Sequence, residues 1–90
     1  MIIKTNSIII KDDFNNDIKV EYNFIKTDID ENILYGFSIK AVNQNNNEKS
    51  YKEYLDFSKD LKYAEKIFNI LIKNQVLPVN LINILDDFID

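Results

Sequence analysis

The chain has 90 residues and a formal net charge of -4, from 11 basic and 15 acidic side chains. Every basic residue is a lysine; histidine, cysteine and tryptophan are missing, and glycine and proline occur once each. These absences exclude disulfide frameworks, thiolate or imidazole metal sites, Cys/His and Ser/His catalytic machines, and glycine-rich phosphate loops.

The first stretch, residues 2–10, is rich in β-branched side chains and predicts a strand. Turn formers from Lys11 to Asp17 follow, as expected of a hairpin loop. Residues 18–26 then alternate, with Ile18, Val20, Tyr22 and Phe24 on one face and Lys19, Glu21 and Asn23 on the other. Period two over that length marks a half-buried strand. A third strand is predicted over 33–42, with Ile33, Tyr35, Phe37, Ile39 and Ala41 sharing a face, after a polar connection from Thr27 to Asn32. The run Asn43 to Asn47 is the most polar in the chain and precedes a fourth strand over 49–57. There Tyr51, Leu55 and Phe57 alternate against Lys52, Tyr54 and Asp56, with Glu53 interrupting the apolar side.

Ser58 is placed to cap a helix over 59–74, with Asp60 in its first turn. Leu61, Ala64, Ile67, Phe68, Leu71 and Ile72 form its apolar stripe; Lys59, Lys62, Lys66, Asn69 and Lys73 lie opposite. Pro78 suits the first turn of a second helix over 78–89, which turns Leu81, Ile82, Leu85, Phe88 and Ile89 inward. The expected fold is α+β: an antiparallel meander of three to four strands followed by two C-terminal helices packed on one face, as a single domain over 1–90.

The carboxy-terminal half, with an aromatic strand, a serine-started helix and then Asn74-Gln75-Val76-Leu77-Pro78-Val79-Asn80-Leu81-Ile82-Asn83-Ile84-Leu85-Asp86-Asp87-Phe88, resembles a family of short uncharacterised proteins of low-GC anaerobic bacteria. The likeness covers about residues 50–89. Asn80 and Asn83 depart from the charged or imidazole-bearing residues expected there. The resemblance implies a β-rich first half and a helix, Val-x-Pro turn, helix ending, and it implies no activity. Isoleucine, lysine and asparagine, 40 residues together, all have A/T-rich codons, so the composition first reports an A/T-rich genome.

Chemistry-bearing constellations are few. Asp28, Asp30 and Asn32 begin like a calcium loop, as do Asp13, Asn15 and Asp17. Both put isoleucine where glycine is needed for the turn, and neither has the final glutamate. Asp86 and Asp87 are helix neighbours about 100° apart and do not converge on one atom. No catalytic, metal or cofactor residue is therefore assigned, and a non-enzyme is expected. The lysine stripe is the one feature favouring nucleic acid; the missing arginine and a pI near 4.7 argue against it. No apolar run approaches the ~20 residues of a membrane span, and Met1 to Lys4 does not resemble a leader, so a cytoplasmic location is expected.

What remains is binding. Five tyrosines and six phenylalanines exceed what one small core needs. Phe14 in a hairpin loop, Tyr54 on the polar strand face, and Tyr63 with Ile70 on the helix flank are candidate anchors for a partner protein. Lys59, Lys62, Lys66 and Lys73 are candidates for an acidic partner; Asp86 and Asp87 are candidates for a basic one. A homodimer through helix 59–74, by way of Tyr63, Ile67 and Ile70, is a further expectation. The sequence thus points to a small non-catalytic regulator or inhibitor that binds another protein, for instance a phage or mobile-element inhibitor of a host defence enzyme of the anti-CRISPR type. The alternative is a sheet that binds single-stranded nucleic acid or a ligand, with Tyr22, Tyr35 or Tyr54 as stacking platforms.

Overall fold

The computed structural model describes residues 1–88. Four strands, β1 (Ile2–Lys11), β2 (Asp17–Ile29), β3 (Asn32–Asn43) and β4 (Lys49–Ser58), form one antiparallel sheet in the order β1-β2-β3-β4. Helix α1 (Leu61–Lys73) follows, then a 3-10 turn (Pro78–Asn80) that leads into helix α2 (Leu81–Asp86). The fold is α+β, a meander with two C-terminal helices on one face of the sheet.

Alternation sets the two faces of the sheet. Val20, Tyr22 and Phe24 of β2 and Phe37, Ile39 and Ala41 of β3 face the helices and are buried. Ala64, Ile67, Phe68 and Leu71 of α1 and Leu81 and Leu85 of α2 complete the core. Aromatic contacts join the two layers. Phe68 lies 5.4 Å from Phe24 and 6.4 Å from Phe37, with rings nearly parallel in both pairs. Burying such rings contributes roughly 2–3 kcal/mol each, with up to about 1 kcal/mol more from ring pairing.

The turns lengthen two strands beyond the sequence pattern. The connection expected over 27–32 shrinks to Asp30 and Glu31, both at positive φ (49° and 66°). Such a two-residue turn matches the twist of its strands, so β2 and β3 run on to Ile29 and back to Asn32. The asparagine run is ordered by its own side chains: Asn43 Oδ1 accepts from Asn45 N at 2.9 Å, and Asn46 Oδ1 from Glu48 N at 2.9 Å. Asn45 Nδ2 donates to Asn16 Oδ1 at 2.9 Å and so ties the two hairpin loops together.

Strand β4 corrects the expected alternation. The register shifts between Tyr35 and Phe37, and β4 crosses over Gly36 so closely that an added Cβ would overlap the Tyr54 carbonyl and the Leu55 backbone. An irregularity of this kind reverses which residues face inward. Tyr54, read from the sequence as a polar-face residue, instead pairs with Phe37 on the helix side and packs edge-on to Phe57 at 6.1 Å. Tyr51 moves to the open face and is exposed.

Helix α1 starts two residues later than Ser58 suggests. Asp60 is its N-cap and accepts from Tyr63 N at 3.1 Å, while Ser58 Oγ accepts from Asp60 N at 3.0 Å and shapes the turn before it. Leu61, assigned to the inward stripe, sits in the first turn and is exposed. The helix closes with Gln75 at φ 52°, Val76 N donating to Leu71 O and Gln75 N donating to Ile72 O, both at 3.0 Å. This paired arrangement satisfies the last carbonyls and turns Val76 into the core. The second helix is shorter than 78–89, because its first three residues wind as a 3-10 turn and Asp87 is its C-cap. Ile89 and Asp90 lie outside the described residues.

Candidate functional site

Helix α1 presents the first surface. Its outer side carries Lys62, Lys66 and Lys73 around a shallow hollow of about 420 Å³ that is also lined by Glu65, Asn69 and Ile70. The spacing explains the grouping: positions 62, 66, 69, 70 and 73 follow each other at three or four residues along one side of a helix. Ile70 is half-buried; its inner side packs on the core and its outer side lines the hollow. Among the described residues the ion pairs are Lys4–Glu65 (3.3 Å) and Lys11–Asp17 (3.0 Å), so the three lysines of the hollow have no carboxylate partner there. Four of the candidate residues read from the sequence are thus brought together on one surface.

The others are dispersed. Lys59 is exposed just before α1. The Tyr63 ring stacks on Phe57 at 5.8 Å and its hydroxyl donates to Phe88 O at 2.7 Å, so this side chain fastens the end of α2 to α1. Ile67, the centre of the expected homodimer contact on helix 59–74, is 1% exposed and faces the sheet. Period 3.6 puts it on the same side as Ala64, Phe68 and Leu71, which removes it from any surface. Asp86 and Asp87 are exposed at the far end of α2.

A second concavity, about 340 Å³, lies where the hairpin loops meet the 3-10 turn and is lined by Asp12, Asn43, Glu48, Lys49, Pro78 and Val79 among others. Val79 stands 79% exposed at its border. Phe14, 86% exposed, is at the tip of the β1–β2 turn. Asp12 is occupied in forming that turn: its Oδ1 accepts from Asn16 N at 2.8 Å and Phe14 N at 2.9 Å, and its Oδ2 accepts from Asn16 Nδ2 at 3.1 Å. The Asn16 backbone N–H, chief among these donors, lowers the Asp12 pKa below its ordinary value. This cleft is not legible in the sequence, because residues far apart along the chain, from both hairpins and the 3-10 turn, come together to build it.

The open face of the sheet is polar. Thr5 Oγ1 donates to Asn23 Oδ1 (2.8 Å), and Asn23 Nδ2 donates to Ser38 Oγ and Glu21 Oε2 (both 3.1 Å), a line of polar side chains crossing three strands. Tyr51 donates to Glu53 Oε2 at 2.8 Å, and that bond is the main cause of its raised pKa. The tyrosines considered as stacking platforms are on the other face: Tyr22 is fully buried, and Tyr35 and Tyr54 pack against the core under the helices.

No helix among the described residues is long and apolar enough to cross a membrane. No curated protein and no solved structure matches the chain. A family model covers residues 1–90, the whole sequence rather than the carboxy-terminal half alone, and the chain belongs to that family, described as a family of unknown function (DUF6514).

Proposed function

We propose that this chain is a small non-catalytic protein that acts by binding another protein, as a regulator or inhibitor, through the outer face of α1. The supporting observation is the hollow bordered by Lys62, Lys66 and Lys73 with Ile70 in its lining, on a chain whose net charge is -4. A local cationic surface on an acidic protein selects acidic partners by steering and orientation rather than by net attraction. The exposed side of Ile70 gives such a partner an apolar contact among the charges. The fitting ligand is an acidic protein segment that sets one apolar side chain against Ile70.

Cytoplasmic action, an origin in low-GC anaerobic bacteria and a role as a phage or mobile-element inhibitor of a host defence enzyme are narrower forms of the same proposal. They rest on the sequence alone: on the lack of a leader-like start or long apolar run, on the resemblance and A/T-rich composition, and on the surplus aromatics left once catalytic and metal chemistry are set aside.

The test compares three tagged proteins in capture from lysate of the producing organism: the native chain, Lys62→Glu/Lys66→Glu, and Lys19→Glu/Lys40→Glu on the open sheet face. Both doubles change the charge equally. The proposal expects a stoichiometric protein partner that the helix double loses and the sheet double keeps, with weaker capture as salt rises. Equal loss in both doubles, or no partner for the native chain, overturns it.

A further inference from the structure

The strand β1 is an unguarded sheet edge. The helices pack on β2, β3 and β4, leaving most of β1 exposed, and Ile9 is 67% exposed. The opposite edge, β4, carries Lys49, Lys52, Glu53 and Asp56 and the irregularity over Gly36, devices that discourage further pairing. Strand β1 has only Lys4 and Lys11, each already engaged, with Glu65 and Asp17, and its own irregularity is confined to its first residues, between Ile2 and Lys4.

Its free backbone groups can be placed. Asp12 N donates to Asn16 O at 3.1 Å, and Lys11 sits opposite Asp17. In an antiparallel ladder hydrogen-bonded and non-hydrogen-bonded pairs alternate. From Lys4 to Ile10 the even residues of β1 therefore bond to β2, and Thr5, Ser7 and Ile9 turn their N–H and C=O groups outward; before Lys4 the register shifts and Met1 bonds to Lys26 instead. The sequence around these groups is nearly symmetric: Ile2-Ile3-Lys4-Thr5-Asn6-Ser7-Ile8-Ile9-Ile10 reads similarly in both directions from Asn6.

We propose that β1 pairs antiparallel with β1 of a second copy about a two-fold axis at Asn6, joining two four-stranded sheets into one of eight strands. In this register Thr5 and Ser7 face each other as hydrogen-bonded pairs. The two Asn6 side chains meet at the axis, and Ile9 lies opposite Ile3. Each Lys4 lies opposite Ile8, which puts the two Lys4 four residues apart along the strand, about 13 Å, beyond the ~10 Å screening length at 0.1 M salt. Lys11 then falls opposite Met1 at the strand end, so one lysine per strand faces an isoleucine; a register centred on Ser7 sets both against isoleucines, Lys11 against Ile3 and Lys4 against Ile10. The second copy is thus the occupant that fits both the outward backbone pattern and the placement of the two lysines.

The chain has no cysteine, so single cysteines report the register cleanly. At the axis the two Asn6 Cα atoms stand about 4.5 Å apart, within disulfide range. Under mild oxidation Asn6→Cys is expected to form a covalent dimer at least about tenfold faster than Lys40→Cys on the open face. Sedimentation of the native chain is expected to give twice the 10.6 kDa chain mass. Ser7→Pro removes an outward N–H without breaking a bond to β2, so it is expected to sediment as a monomer. Ile9→Lys, which places a charge against Ile3 of the second copy, is expected to weaken the dimer at least about tenfold and serves if the proline variant fails to fold. A native monomer at about 100 µM, a dimer unaffected by Ile9→Lys, or equal oxidation rates for the two cysteines would each overturn the proposal.

Discussion

Replacing Tyr22 by phenylalanine should stabilise this protein, and the reason lies in one atom. Tyr22 is fully buried between the sheet and the helices, and its hydroxyl has no hydrogen-bond partner. A buried hydroxyl without a partner costs about 1–3 kcal/mol. Removing it leaves a gap the size of one oxygen, a loss of about 0.3–0.5 kcal/mol at ~24 cal/mol per Å³. The net gain for Tyr22→Phe is about 1–2 kcal/mol, which at roughly 4–8 °C per kcal/mol in a domain of this size is a clear rise in melting temperature. A second signature comes from pH. Burial pushes the Tyr22 pKa from 10.0 up to about 12. The folded state therefore holds its proton more tightly than the unfolded state does. The resulting stability is fully present below pH 10 and is lost as pH rises to about 12, by about 3 kcal/mol in all. Tyr22→Phe lacks this loss, so its advantage over the native chain should widen between pH 10 and 12. Urea unfolding of both proteins at pH 7 and across the alkaline range measures both effects. If Tyr22→Phe is less stable at pH 7, or its alkaline slope matches that of the native chain, the hydroxyl is satisfied and the reasoning fails.

Gly36→Ala should destabilise by about 3 kcal/mol, because the new methyl meets the β4 backbone rather than a movable side chain; a melting temperature within a degree of native would contradict this. Asp60→Ala should cost about 1 kcal/mol in thermal unfolding through loss of the bond to Tyr63 N, whereas Ser58→Ala, at the position the sequence suggested for the cap, should cost less. Gln75→Gly should add about 0.5–1 kcal/mol by relieving a left-handed residue at the end of α1, read from the shift in urea midpoint. Lys4→Met should change stability by less than about 1 kcal/mol, since its pair with Glu65 is largely solvent-exposed.

The parts of this fold legible in the sequence are those that a single element specifies for itself. The alternation of Ile18, Val20, Tyr22 and Phe24 needs no neighbour to assign their face, and the same holds for Ala64, Ile67, Phe68 and Leu71 on α1. What one element does to another was hidden. The face of Tyr54 depends on the β4 backbone crossing Gly36, and nothing within β4 itself signals it. The tight turn at Asp30-Glu31 uses a glutamate at positive φ, and α1 closes on a glutamine, so neither carries the glycine that usually marks such positions. The surface followed the same division. The lysine stripe was legible from its spacing, but that Ile70 lines the hollow while Ile67 is sealed in the core is decided by where α1 meets the sheet.

Binding through the outer face of α1 is tested most directly by a photo-crosslinking benzophenone amino acid placed at Lys66 and, separately, at Lys19, in the producing cells. A protein adduct specific to position 66, lost when Lys62 is changed to Glu, is the expected result. Adducts of equal yield at both positions, or none at position 66, would contradict it.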